Sequence, residues 1–416
     1  MSKITIEGGN KLKGEVSISG AKNSAVALIP AAILSNSTSV IYNLPHIRDI
    51  EYLIKILESL NCKYEIEGDT LRIDSSKIKN ARIPESLSRE MRASYYFMGS
   101  LLAKFKKVEM SFPGGCNIGN RPIDQHIKGF EALGAKVVQE KNKFFIKAKK
   151  LKGARILLDI ASVGATINIM IAATTAEGRT TIENAAREPE IVNIASFLIT
   201  MGAKIKGAGT DTIIIDGVKE LGKGVIEVLP DRIETGTYLI MGALLGKDLV
   251  IKNVIVEHVG VLLSKLREAG ADFKISNDTI TISQIKNMKP LFVKTAPYPG
   301  FPTDLQQPLT TMLTQANGKS RIIETIYESR FRNVEYLETM GAKTEIVGNI
   351  LKIYGKTSLK GKNVYSTDLR AGASLLIAGL IAKGTTTIDN IELILRGYDN
   401  VIEKLQKIGA KIELIP

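Results

Sequence analysis

Apolar residues along this chain follow two rhythms, and the change from one to the other is marked by the same kind of residue each time. Ile123, Ile127, Phe130 and Leu133 stand at helical spacing, as do Ile191, Ile194, Leu198 and Met201. Each set predicts an amphipathic helix with one face in a core. A recurring helix end follows: Leu60-Asn-Cys-Lys63, Leu133-Gly-Ala-Lys136, Met201-Gly-Ala-Lys204, Ala269-Gly-Ala-Asp272, Met340-Gly-Ala-Lys343 and Ile408-Gly-Ala-Lys411. The glycine predicts a left-handed stop, because it takes positive φ without steric cost. Beyond the stop the period falls to two, as in Tyr64-Glu-Ile-Glu-Gly-Asp-Thr-Leu-Arg-Ile73 and Thr344-Glu-Ile-Val-Gly-Asn-Ile-Leu-Lys-Ile353. These segments predict β-hairpins turning at Gly68-Asp69 and Gly348-Asn349.

A second kind of helix, apolar along its whole length, precedes other strands, as in Ala25–Leu34 and Leu239–Leu245. The chain is therefore expected to be α/β (α+β), built from six repeats of about 70 residues with their helices turned inward. A unit of that size with a one-sided helix and a one-faced sheet needs neighbours to close its core, which predicts two lobes of three repeats. The boundary is placed near Val228-Leu-Pro-Asp-Arg232. Lobe one is expected over 22–229, and lobe two over 1–21 plus 230–416. An interlobe cleft is the expected ligand site, since ligands favour domain junctions and hinged lobes can exclude water.

Composition narrows the function. The 416 residues are 44% hydrophobic and 24% charged, ordinary globular values with length for two cores. Cys62 and Cys116, with His46, His126 and His258, give neither a disulfide framework nor zinc-ligand spacing. A reducing compartment, the cytoplasm, fits best. The N-terminus lacks the apolar core of a secretion signal, and no apolar run is long enough to span a membrane. The net charge of +13 implies anionic partners, yet the lysines are scattered and aromatics make up only 6%. That pattern suits anionic small molecules better than nucleic acid.

Candidate chemistry gathers at four places. Cys116 sits in Pro113-Gly-Gly-Cys-Asn-Ile-Gly-Asn-Arg-Pro122, where glycine and proline exclude regular structure and Arg121 favours a thiolate. The loop reads as a hinged lid carrying a reactive thiol, against the alternative of a small buried hydrophobe. Cys62, closing the helical pattern of Ile54, Leu57 and Leu60, reads as core. Lys22 and Asn23 stand ahead of an apolar helix, where free amides attract phosphate or carboxylate; an ordinary cap with a solvated lysine is the alternative. No phosphate-loop or dinucleotide fingerprint is present. Arg92, Arg121, Arg330, Arg370 and Arg396 stand at turns or repeat boundaries, where guanidinium groups hold small anions in fixed geometry. Asp304, after three prolines in Pro297-Tyr-Pro-Gly-Phe-Pro-Thr-Asp304, reads either as an N-cap or as a carboxylate aimed at a substrate hydroxyl.

The Cys116 loop, Gly20-Ala-Lys-Asn-Ser24, Ser162-Val-Gly-Ala-Thr166 and Ala186-Arg-Glu-Pro-Glu-Ile191 together resemble the UDP-N-acetylglucosamine 1-carboxyvinyltransferase family of enolpyruvyl transferases. Tyr298–Asp304, Arg330-Phe331, Asp368-Leu-Arg370 and Arg396-Gly-Tyr398 extend the resemblance through the second half. It implies a two-lobed inside-out α/β barrel of six βαβαββ-like repeats, three per lobe, helices inward and sheets outward. It also implies transfer of the enolpyruvyl group from phosphoenolpyruvate to UDP-N-acetylglucosamine, with no metal or organic cofactor. By that similarity Lys22, Arg121 and Arg396, aided by Arg330 and Arg370, grip phosphoenolpyruvate. Asn23, Arg92, Arg121, Pro122, Ile123, Asp124, Gln125, Ser162, Val163, Gly164, Asp304 and Ile326 line the nucleotide-sugar site. Cys116 is the implied general acid and Asp304 the acceptor of the hydroxyl proton. Partners beyond these small molecules are not expected, apart from a weak homo-oligomer. The rivals are the sister transferase acting on shikimate 3-phosphate, a nucleic-acid-binding repeat protein and a catalytically silent paralogue.

Overall fold

The computed structural model describes residues 2–114 and 122–415. The chain divides into two compact units, one formed by 20–114 with 122–229 and the other by 2–19 with 230–415. Each has its own apolar core. Among the described residues no helix is long and apolar enough to cross a membrane.

The two kinds of helix read from the sequence take different places in each unit. Lys22–Ala32, Tyr96–Phe105 and Val163–Ala173 in the first unit are buried nearly all round. So are Arg232–Leu245, Gln306–Leu313 and Leu369–Ile381 in the second, where the three helices pack on one another. Burial on every side removes any need for a polar stripe, which explains their continuous apolar sequence. The helices Arg48–Ser59, Asp124–Ala132, Pro189–Thr200, Gly260–Ala269, Val334–Thr339 and Val401–Lys407 bury one face only.

Close helix contacts need small residues. A Cβ on Gly99 would come within 2.6 Å of the Asn168 carbonyl oxygen and 2.8 Å of its Oδ1. The Gly99 amide instead donates to Asn168 Oδ1 at 2.8 Å. This bond joins Tyr96–Phe105 to Val163–Ala173 through a fully buried asparagine.

The helix stops take the expected left-handed conformation. Asn61 has φ 61°, and Gly134, Gly202, Gly270, Gly341 and Gly409 have φ between 90° and 108°. The first five turn their helices into antiparallel hairpins, and Gly409 leads into Lys411–Ile415, which pairs antiparallel with Lys3–Glu7. In Lys63–Glu67 and Thr70–Asp74 the register pairs Glu67 with Thr70, leaving Gly68-Asp69 as a two-residue turn. Val347 pairs with Ile350 in the same way across Gly348-Asn349.

Six sheets occur among the described residues. Five repeat one pairing order: a three-residue edge strand parallel to a second strand, which runs antiparallel to a third, itself antiparallel to a fourth. The sixth, Lys107–Ser111 with Lys143–Lys147 and Lys136–Glu140, has only an isolated parallel bridge from Arg82 to Glu109 at the corresponding edge. The inward residues of the strands, such as Leu71 and Ile73 or Leu351 and Ile353, are fully buried. The short parallel edge strands escaped the sequence reading, because three residues hold too little alternation to register as a period.

Candidate active site

In the unit containing 230–415, the starts of the three central helices bring charge together. Asp231 caps Arg232–Leu245, its Oδ1 accepting from Ile233 N at 2.7 Å and Glu234 N at 3.1 Å. Asp368 caps Leu369–Ile381 through Arg370 N and Ala371 N. Asp304 caps nothing. It lies in the short turn Thr303–Leu305 ahead of Gln306–Leu313, and that turn has no side-chain cap.

Asp304 is instead held by guanidinium groups. Arg330 Nη2 donates to its Oδ1 at 2.5 Å and Arg370 Nη2 to its Oδ2 at 2.9 Å. Both arginine side chains are almost completely buried, while that of Asp304 keeps 27% exposure. Burial alone would raise the Asp304 pKa, but Arg370, Arg330 and Arg232 override it and hold the carboxyl well below the usual carboxylate range. Three guanidinium groups thus keep Asp304 ionised, with Asp231 a second carboxylate acting on Arg370, and a site this rich in guanidinium donors suits small anions.

Polar groups brace this cluster from behind. Gln307 Nε2 donates to the Arg330 carbonyl at 2.8 Å and to Asp368 Oδ2 at 3.3 Å. The guanidinium groups of Arg330, Arg370 and Arg232 lie over the rings of Tyr327, Tyr398 and Tyr298 at 5.5 to 5.7 Å. Tyr398 Oη shares a hydrogen bond with Thr237 Oγ1 at 2.9 Å. Ile326 is fixed through its amide, which donates to Glu324 Oε1 at 2.8 Å. Arg396 follows the turn Glu392–Leu395 and is half-buried.

The unit containing 20–229 presents a second group of candidates. Lys22 is the first residue of the helix Lys22–Ala32, with Asn23 beside it, and no side chain caps that helix. Lys22 Nζ pairs with Asp49 Oδ2 at 2.7 Å, and both side chains are largely buried. The solvated-lysine alternative therefore does not hold. Ser162 caps Val163–Ala173, its Oγ accepting from Ala165 N at 3.3 Å.

Gly164 is required by its neighbours, since a Cβ there would lie 2.7 Å from Tyr95 Oη and 3.0 Å from His126 Cε1. Tyr95 carries Arg92 over its ring at 5.6 Å and meets the His126 ring edge-on. His126 Nδ1 and Asn168 Nδ2 are 3.1 Å apart. Burial, and secondarily Arg92, push the His126 pKa down to about 3 against the pull of Asp124, so the ring is neutral.

Pro122 and Asp124 are exposed and Ile123 is buried at the start of Asp124–Ala132. Gln125 is buried and ties this helix to Asp159, accepting from its amide at 2.9 Å and donating to its Oδ2 at 2.9 Å. Cys116 and Arg121 lie outside the described residues. Cys62 is buried, and burial, reinforced by Asp74, pushes its thiol up to about 12. It stays a protonated core residue.

Asp49, Arg232, Gln307, Glu324 and Asn168 were not among the sequence candidates. Each acts through a partner far along the chain, as Asn168 does with His126 and Gly99, so no local motif announces it. Only Arg232 carried a signal, standing directly after the expected boundary and ahead of an apolar helix.

The family model for EPSP synthase (3-phosphoshikimate 1-carboxyvinyltransferase) matches residues 6–405. The UDP-N-acetylglucosamine 1-carboxyvinyltransferase 2 of Bacillus subtilis is 51% identical over 413 residues, covering 99% of this chain and 96% of that protein. The same-named protein of Listeria monocytogenes is 52% identical over 410 residues, covering 99% and 97%. The crystal structure of the enolpyruvyl transferase NikO from Streptomyces tendae matches with TM-score 0.91 at 26% identity, covering 100% of this chain and 99% of that one. An EPSP synthase structure from Acinetobacter baumannii shares the fold, with TM-score 0.79 at 19% identity and complete coverage of both chains. The chain belongs to the EPSP synthase family of enolpyruvyl transferases, and within it to the UDP-N-acetylglucosamine 1-carboxyvinyltransferases.

Proposed function

We propose that this protein transfers the enolpyruvyl group of phosphoenolpyruvate to the 3'-hydroxyl of UDP-N-acetylglucosamine and releases phosphate, the first committed step of peptidoglycan synthesis in the cytoplasm. The observation that carries this reading is identity of about one residue in two, over 99% of the chain, to proteins named for that activity. The cationic cluster around Asp304 supports it, because it suits a small, multiply charged anion.

In this reading Cys116 protonates C3 of phosphoenolpyruvate, making C2 electrophilic, while the sugar hydroxyl adds to C2 and passes its proton to Asp304. Lys22, Arg121, Arg330, Arg370 and Arg396 stabilise the charge on the tetrahedral phosphate adduct, which then loses phosphate and the C3 proton to give the enol ether. Cys116 can also attack C2 itself and carry a covalent phospholactoyl group. Asn23, Arg92, the segment Arg121 to Gln125, Ser162, Val163, Gly164 and Ile326 hold the nucleotide sugar. The reaction requires no metal or organic cofactor. The same reading takes the chain as six βαβαββ-like repeats in two lobes, helices inward and sheets outward, and as a target of fosfomycin through the Cys116 sulfur.

The test measures phosphate release from phosphoenolpyruvate with and without UDP-N-acetylglucosamine, for the native protein and for Cys116→Ala and Cys116→Asp. Release is expected only with the nucleotide sugar, to be lost in Cys116→Ala and retained in Cys116→Asp, which should also resist fosfomycin. Release that ignores the nucleotide sugar, or that is driven by shikimate 3-phosphate, would refute the assignment.

A further inference from the structure

We propose that Asp304 is a built-in stand-in for an acidic group of the substrate: its two oxygens occupy arginine donors that an incoming carboxylate or phosphate takes over, and only after that exchange does Asp304 accept a proton. The inference rests on the function proposed above and adds a condition to it, namely that the base is inactive until phosphoenolpyruvate is seated.

The arginine side of the contact is built to stay in place without Asp304. Gln307 fixes the Arg330 carbonyl, and Asp368 caps the helix at Arg370. Tyr327 and Tyr398 lie under the two guanidinium groups. Asp304 is the less enclosed partner: its side chain makes no capping bond and keeps 27% exposure, although Thr303 beside it is tied to Glu324. If the contact loosens, the arginines remain and the carboxylate moves.

The contact is also incomplete. Each arginine gives Asp304 a hydrogen bond from one Nη2 to one oxygen, where a paired carboxylate can take two from a single guanidinium. Arg330 Nε is buried and has no acceptor. An unmet buried donor beside an ion pair is costly, and a planar carboxylate or tetrahedral phosphate with more oxygens than Asp304 can spare would satisfy it. Arg232 also acts on Asp304, and Asp231, which caps its own helix, acts on Arg370 as a second carboxylate.

The exchange changes what Asp304 can do. Between two guanidinium groups a carboxylate is a poor proton acceptor. Once a substrate anion has neutralised them, Asp304 regains ordinary proton affinity and can take the proton of the sugar hydroxyl as its oxygen bonds to C2. Linkage makes the effect reciprocal: if phosphoenolpyruvate raises the Asp304 pKa by about one unit, protonation or neutralisation of Asp304 tightens phosphoenolpyruvate binding about tenfold.

Two measurements on the full-length protein test this. Equilibrium dialysis with phosphoenolpyruvate alone should show Asp304→Asn binding it about tenfold more tightly than the native protein, although the variant no longer turns over. The carboxyl carbon resonance of Asp304, assigned by its absence in Asp304→Asn, should titrate at higher pH when phosphoenolpyruvate is bound. A protein that turns over but shows neither effect overturns the inference and leaves the function standing. One that neither binds phosphoenolpyruvate nor turns over overturns both.

Discussion

Glu324 Oε2 accepts the hydroxyl of Thr303 at 2.9 Å, one residue before Asp304. Its other oxygen accepts from Thr295 Oγ1 at 2.9 Å, Ile326 N at 2.8 Å and Tyr327 N at 3.3 Å. One buried carboxylate thus orients the Asp304 turn and the Ile326 loop together. Removing it strands several donors, each costing about 1–3 kcal/mol when buried. Glu324→Ala is expected to destabilise the protein by roughly 3 kcal/mol in urea unfolding and to lower kcat about tenfold, a 1.4 kcal/mol loss at the transition state. Thr303→Val should show a smaller loss of both. A Glu324→Ala variant with native kcat would show that the carboxylate is structural only.

The Lys22–Asp49 pair separates charge balance from catalysis. Breaking a buried ion pair from one side costs about 3–5 kcal/mol, whereas replacing both partners with apolar groups is often nearly neutral. Lys22→Met should therefore lose stability and turnover together. Lys22→Met with Asp49→Leu should recover most of the stability and none of the turnover. Chemical unfolding and the phosphate-release assay decide the matter. A double variant that regains activity would remove Lys22 from the chemistry.

Glu234 gives one unit a response to rising pH. Burial pushes its carboxyl up to about 7, against the pull of Lys404 and the Ser19 amide and with a further push from Asp231. Lys404 Nζ donates to its Oε1 at 2.6 Å, and Ser19 N to its Oε2 at 2.9 Å. A free glutamate titrates near 4.5, so between those values the folded chain binds a proton that the unfolded chain has lost. The Glu234 contribution is greatest below pH 4.5, falls as pH rises through about 7, and is flat above it. Glu234→Gln should flatten the pH dependence of unfolding in this window by up to about 1.4 kcal/mol per pH unit. An unchanged slope would mean that Glu234 is ionised throughout.

His126 acts with the opposite sign in the other unit. The folded ring resists protonation down to about pH 3, whereas an unfolded histidine takes its proton near 6.5. Its contribution is present above 6.5 and is lost as pH falls toward 3. From pH 6.5 to 5 this amounts to about 2 kcal/mol, which His126→Gln should abolish. Calorimetry at these two pH values reads it directly. Equal acid sensitivity in native and variant proteins would place a charged His126 in the fold.

Much of the architecture was legible because single residues carried it. After five of the six apolar stripes a glycine, and after the first Asn61, takes the positive φ that ends a helix and reverses the chain, as Gly202 and Gly341 show. Two-residue turns at Gly68 and Gly348 fixed hairpin register in the same local way. The site was less legible, since Lys22 needs Asp49 and Arg330 needs Gln307, pairs with no shared period or motif. Asp304 was recognised as a candidate carboxylate, but its capture by two arginines depends on which helix starts lie side by side. Sequence spacing does not encode that.

The strand Lys3–Glu7 lies between Thr385–Asp389 and Lys411–Ile415, with each of its residues paired on both sides. Glu15–Ser17 likewise joins Leu249–Lys252. Lys3–Glu7 therefore stays without these neighbours during synthesis until the strands of 385–415 have emerged. The intervening 20–229 unit draws every strand of its sheets from its own span and can complete itself during synthesis. Chains cut short before residue 385 should carry one finished unit and one in which Lys3–Glu7 has nothing to join.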